Sequence, residues 1–139
     1  MINLNFVPEK VVVKNVGQAN WVEIYDTKNK IRIVFDMGMP RQCPASMVKA
    51  QITNIMNYRD DKPIFVLSHW HTDHYHALLA LENVATQYFS QFVFPSTTPH
   101  NVTSNRLQKI MQSNHIPISL LPNNSTMRKV TLSNNVSLY

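Results

Sequence analysis

The sequence predicts an α/β domain in which one sheet is covered by helices, a single unit over residues 1–139. Three observations carry this expectation. Strand-like and helix-like patterns alternate along the chain in the order β-β-β-α-β-α-β-α-β-β. The composition, 44% hydrophobic with no long polar tract, is that of a chain that buries a core. A length of 139 residues suits one such core and leaves little for a second.

The N-terminal third reads as a small antiparallel sheet. "KVVVKNV" (Lys10 to Val16) is β-branched, while "NWVEIYD" (Asn20 to Asp26) and "KIRIVFD" (Lys30 to Asp36) alternate. "TKNK" joins the last two as a hairpin turn. In the loop "DMGMPRQCP", Gly38 is free to take a backbone angle that other residues resist. From Ala45 to Tyr58, Met47, Val48, Ile52, Ile55 and Met56 recur at helical spacing and predict a helix with that stripe in the core. "DDKP" stops it, because proline disfavours helical geometry in the residue before it and has no N–H to donate. "PIFVLS" is a short apolar strand buried on both faces. Ala77 to Val84 reads as helix and "YFSQFVFP" (Tyr88 to Pro95) as strand. "NVTSNRLQKIMQSNH" is helical with Leu107, Ile110 and Met111 inward, and "IPISLLP" and "KVTLSNNVSLY" supply two last strands.

Composition narrows the function classes. Cys43 is the only cysteine, which excludes an intramolecular disulfide and a multi-cysteine zinc site. No apolar run approaches the ~20 residues of a membrane span, and the first residues lack the pattern of a signal peptide, so the expectation is a cytoplasmic chain with no membrane partner. The formal charge of +5 favours an anionic small molecule or nucleic acid as substrate, although the 13 basic residues are dispersed.

Chemistry concentrates in "VLSHWHTDHYHALLAL" (Val66 to Leu81), which holds His69, His71, Asp73, His74 and His76 between a strand and a helix. A strand end is a rigid place from which a short loop aims side chains into a cleft. His69 and His71, two apart, can point the same way, and Asp73 and His74 can turn toward a neighbouring point as the helix begins. The set therefore predicts one or two divalent metal ions, zinc first, with iron or manganese tolerated by the same ligands. Such a site turns water into a nucleophile at neutral pH.

"HWHTDH" matches the HxHxDH signature of the metallo-β-lactamase fold superfamily, and "FDMGMP" (Phe35 to Pro40) resembles that family's strand-ending Asp-x-Gly. "NVGQANWVEI" (Asn15 to Ile24) is similar to the "VGQGD" start of the hydrolase domains in competence-type DNA-uptake proteins. The resemblance covers Lys10 to Phe94. It implies a metallo-β-lactamase-like αββα sandwich, of which this chain would be the N-terminal half and a little more, truncated on the C-terminal side. It also implies a metal-dependent hydrolase acting on an ester or phosphodiester-type substrate. His69 and His71 would hold a first metal, Asp73 and His74 a second, with Asp73 also the catalytic proton acceptor and Asp36 a buttress that does not touch metal.

The chain departs from that pattern downstream. The family takes a further histidine, a metal-bridging aspartate and a last histidine from beyond the signature, whereas here no aspartate follows Asp73 and only His100 and His115 follow His76. His100, in a loop after a strand, is the positional candidate for a third ligand; His115 reads as a helix-end residue. Half a sandwich would leave an apolar sheet face exposed, which predicts a homodimer or a complementing chain. The alternative function is a catalytically incomplete metal-binding or interaction module.

Overall fold

A computed structural model describes residues 6–40, 42–52, 61–81 and 87–121, together with the backbone of 130–131 and 137–138. Its elements are β1 (Pro8–Val13), β2 (Trp21–Asp26), β3 (Ile31–Met37), α1 (Ala45–Gln51), β4 (Ile64–Val66), α2 (Thr72–Leu79), β5 (Gln91–Pro95), α3 (Val102–Ser113), β6 (Ile118–Leu121), β7 (Val130–Thr131) and β8 (Ser137–Leu138). The first six strands form one sheet in sequence order. β1, β2 and β3 pair antiparallel, and β3 through β6 pair parallel, with a helix in each of the three crossovers. The expected mixed α/β architecture is therefore present as a six-stranded sheet with three helices among the described residues.

All three helices cover the same face. Val48 and Ile52 from the α1 end, Tyr75 and Leu78 from α2, and Leu107, Ile110 and Met111 from α3 share one core cluster with Phe65, Phe92 and Phe94. This follows from parallel neighbours laid down in order, since right-handed crossovers that all step the same way place every helix on one side. Phe65 meets Phe89, Phe92 and Phe94 with ring centroids 5.6–6.2 Å apart, filling the space between sheet and helices.

The opposite face is apolar and thinly covered. Cross-strand register lines up Val11, Ile24, Ile33 and Ile64 in one row and Val13, Val22, Phe35, Val66 and Val93 in the next. Phe6 packs on Ile24 and Ile33, with Val66 beside them, while Val11 and Val13 on the edge strand are 61% and 74% exposed. β4 is thus not buried on both faces as its apolar run predicts: Phe65 is buried, and Ile64 and Val66 are only partly so, because helices lie on one side alone.

Other expectations shift by local amounts. Met47 is exposed instead of buried, since α1 packs through Val48 and Ile52; Ile55 and Met56 lie outside the described residues. α2 begins at Thr72, five residues before the predicted start, because His71 in extended geometry hands directly into the helix. Residues 82–86 lie outside the described set. β5 starts at Gln91, and Tyr88 and Phe89 precede it as buried residues outside the ladder. The last predicted strand resolves into β7 and β8, which pair with each other in a separate two-stranded sheet. No helix among the described residues is long and apolar enough to cross a membrane.

Charges close both ends of the β2 hairpin. Buried Glu23 accepts from Trp21 Nε1 (3.1 Å), Tyr25 Oη (2.7 Å) and Lys14 Nζ (3.0 Å), and Lys14 also donates to the carbonyl of Gln51. At the turn, Asp26 accepts from the backbone N–H of Lys28 and Lys30 and from Arg32 Nε (2.6 Å), and Arg32 also pairs with Asp61. Burial pushes the Asp26 carboxyl up, but the Lys30 and Lys28 amides and the Arg32 guanidinium outweigh it and hold the group below its ordinary value. Asp61 is lowered chiefly by its Arg32 hydrogen bond. Groups lowered in the folded state contribute stability above the unfolded carboxylate value of about 4, lost as the pH falls through the folded values. Asp26→Asn is expected to lower stability at neutral pH by about 1–3 kcal/mol and to flatten the loss between neutral and acid. Urea denaturation at pH 7 and pH 3 checks this; equal slopes in both proteins would reject it.

Candidate functional site

The site is built where β3 and β4 end side by side. Asp36 is the next-to-last residue of β3 and takes a positive φ of 56° at a bulge in the ladder with β2, where its carboxylate meets Ser68 and His74. There it is 3% exposed. Oδ1 accepts the backbone N–H of Ser68 at 2.8 Å, and Oδ2 accepts the Ser68 hydroxyl at 2.7 Å and His74 Nδ1 at 2.6 Å. Three donors repay the cost of burying the charge and tie the β4–α2 loop to β3.

The next residues determine how closely β3 can approach α2. Gly38 does not use a left-handed angle, contrary to the sequence reading. Its need for no side chain is steric: an added Cβ would lie 1.6 Å from the carbonyl oxygen of Asp73 and 2.6 Å from its carbon. Asn20 completes this contact through its backbone, donating to the Asp73 carbonyl (3.2 Å) and accepting from Gly38 N–H (2.7 Å). The N-terminus of α2 is thereby clamped against the β1–β2 and β3–α1 loops.

On this frame three of the histidines lie close together. The rings of His69 and His74 lie 3.8 Å apart between centroids, those of His69 and His71 4.5 Å, and those of His71 and His74 6.5 Å. Asp73 Oδ2 is 3.6 Å from His74 Nε2. His74 is buried; His69, His71 and Asp73 are exposed. Hydrogen bonds assign the imidazoles. Because Asp36 accepts from His74 Nδ1, His74 carries its proton there; the Asn20 amide nitrogen lies over the ring, 3.5 Å from Nδ1 and 3.1 Å from Nε2. Because the Ser68 hydroxyl donates to Asp36, it accepts from His69 Nδ1 at 2.9 Å, which leaves the lone pair of His69 on Nε2. Burial, then the neighbouring His74 and His71, lower the His69 pKa, against a smaller upward pull from Asp36 and Asp73. The neutral ring that results is the form that ligates metal.

Two hollows flank the cluster. An open cleft of about 710 Å³ is lined by Gln18, Gln42, Trp70, His71, Asp73 and Asn101 among others, and a groove of about 340 Å³ by Ser68, His69, His71, Pro95, Thr97 and Pro99 among others. His71 lies on the ridge between them. Trp70 donates its N–H to the Pro95 carbonyl and packs at a tilt on Phe94, and so forms a wall held at two points. His100 is exposed in the β5–α3 loop, between Pro99, which lines the groove, and Asn101, which lines the cleft; it lines neither. His115 follows α3 with a φ of 52° and is exposed.

Among the described residues no three His, Cys, Asp or Glu side chains converge closely enough to hold a metal as they stand. The donor chemistry nevertheless fits one: His69 presents an unprotonated Nε2, His71 stands beside it in solvent, and Asp73 is an exposed carboxylate on the same rim. Sequence reasoning missed Ser68 and Asn20. Ser68 carried no signal beyond adjacency to His69, and Asn20 lies 54 residues from the histidine it touches.

Comparison with protein-family models, curated proteins and solved structures returns no match.

Gly38→Ala is expected to push Asp73 off β3 and to cost about 2 kcal/mol or more, as overpacking against backbone does. Thermal unfolding measures it; a variant as stable as the parent would show that the Asp73 carbonyl moves freely.

Proposed function

We propose that the chain is a metal-dependent hydrolase of the metallo-β-lactamase type, acting on an ester or phosphodiester-type substrate that enters the 710 Å³ cleft. The observation that supports this most is the pairing of His69 and His71, with bare ring nitrogens, beside an exposed Asp73 at the mouth of a cleft. When bound, a divalent ion, zinc before iron or manganese, would lower the pKa of a water and polarise the scissile bond. The residues of the chain do the rest. His69 and His71 would anchor the ion, with Asp73 on the cleft rim as the third protein ligand; His100, the other candidate, lies in the β5–α3 loop. Asp36 holds the imidazole tautomers through Ser68 and His74, and Trp70 walls the cleft. Asp73 is also the group placed to accept a proton from a nucleophilic water. The net charge of +5 favours an anionic substrate.

A second reading has its own support. No aspartate follows Asp73 in the sequence given, so the bridging aspartate of a two-metal hydrolase is not among its residues. A metal-binding or interaction module without turnover, completed by a second copy or another chain at the open apolar sheet face, accounts for that. The αββα sandwich belongs with this proposal as the arrangement that would cover the face.

The double variant His69→Ala, His71→Ala is expected to lose bound metal entirely and to keep the thermal transition of the parent, since both rings are exposed and no core cluster includes them. Elemental analysis of protein purified without chelators, with a thermal melt, checks it. Unchanged metal content would remove the site. Turnover of bis(p-nitrophenyl) phosphate or p-nitrophenyl acetate by the metal-loaded parent separates hydrolase from module.

A further inference from the structure

We infer that the groove beside His69 is an acyl site, so that the substrate is a carboxylic ester of an apolar acid with a neutral, hydroxylated alcohol; this rests on the hydrolase reading and narrows it. Trp70 and His71 line both hollows, so a bond held at the His69–His71 ridge has one hollow on either side. A substrate cleaved there presents one arm to each. The two hollows differ in chemistry, and that difference selects the arms.

Away from the histidines and Ser68, the groove is lined by Trp70, Pro95, Thr97 and Pro99. A proline has no N–H to offer, and the Pro95 carbonyl already accepts from Trp70 Nε1 at 3.3 Å. The Ser68 hydroxyl is committed to Asp36 and His69. What remains for a ligand is mostly ring and methyl carbon. At about 340 Å³ the space is close to the lower end of the ~300–1,000 Å³ that small-molecule pockets span, which suits a short alkyl chain or one ring. The cleft offers the opposite: Gln18, Gln42 and Asn101 bring amides and Thr72 a hydroxyl, groups that donate and accept without charge. Among the described residues lining either hollow there is no lysine or arginine, so that lining gives a phosphodiester no cation.

Asp73 fixes the direction. In ester hydrolysis the water oxygen bonds to the acyl carbon, the ester C–O bond breaks, and the departing alkoxide takes a proton, leaving an acid and an alcohol. Asp73, placed to accept the proton of the water, lines the cleft. An alcohol leaving on that side receives the proton without crossing the ridge, and the acyl arm is left with the groove.

Two readouts test this. The first is hydrolysis of 1-hexanoylglycerol and 1-acetylglycerol by the zinc-loaded protein, followed by acid release. A fully buried methylene is worth about fourfold in binding, so the longer chain, partly buried in an open groove, is expected to raise kcat/KM about tenfold. The second needs neither metal nor turnover. The chain has two tryptophans, so its indole N–H signals in ¹H–¹⁵N spectra belong to buried Trp21, an internal reference bonded to Glu23, and to Trp70 in the groove wall. In metal-free protein, N-methylhexanamide is expected to shift the Trp70 signal at concentrations about tenfold below those N-methylacetamide needs, and neither to move Trp21. An acetyl ester cleaved as fast as the hexanoyl ester, bis(p-nitrophenyl) phosphate cleaved in preference to both, or a Trp70 signal indifferent to chain length overturns the inference without touching the metal site. A chain-length-dependent Trp70 shift in a protein that holds no zinc and cleaves no ester overturns the hydrolase reading instead, and the apolar groove stands.

Discussion

The site depends on one buried charge. Asp36 sits at 3% exposure with both carboxylate oxygens engaged, and its hydrogen bonds tie β3 to the loop after β4 and to the first turn of α2, beside the close Gly38–Asp73 contact. A carboxylate this deep persists only if donors replace the water it has lost. Ser68 and His74 are those donors, and in serving Asp36 they surrender their own freedom. Ser68 Oγ is oriented toward Oδ2, which orients the ring of His69; His74 is fixed with its proton on Nδ1. One charge thus sets the tautomers of two imidazoles, and the exposed edge of the cluster inherits its order from a residue that lies behind it.

That arrangement also explains why three imidazoles crowd within 3.8–6.5 Å of one another. Burial first, and then the neighbouring His74 and His71, lower the pKa of His69, the ring in contact with both others. The histidines differ in what holds them: His69 Nδ1 meets Ser68, whereas buried His74 is held by Asp36 at Nδ1 with the Asn20 amide over its ring.

The fold supplies the rigidity this needs. The sheet carries the three described helices on one face, where aromatic residues of β4 and β5 and the helix stripes form a continuous core. The other face shows two rows of aliphatic residues with Phe6 over their middle and bare valines on the β1 edge. Strand order alone produces this asymmetry, since successive parallel strands laid down in one direction put every crossover on one side. The site lies at the carboxyl ends of β3 and β4, where open parallel sheets present their loops.

What the sequence by itself determined is the set of parts: the alternation that makes the strands, the stripe of Leu107, Ile110 and Met111 in α3, and the strand-to-helix junction that holds His69, His71, Asp73 and His74. These are local signals, written within a turn or two of the residues they govern. What only the tertiary structure decided is which parts meet. Met47 reads as core from its period and is exposed, because the face a short helix buries depends on what it packs against. Gly38 reads as a turn glycine and is a close-approach glycine, because its constraint is the carbonyl of Asp73, distant in sequence. Asn20 and Ser68 carry no motif of their own. Their importance comes from an imidazole ring across 54 residues and from a carboxylate across 32, and such distances become contacts only once β3 has been laid between β2 and β4.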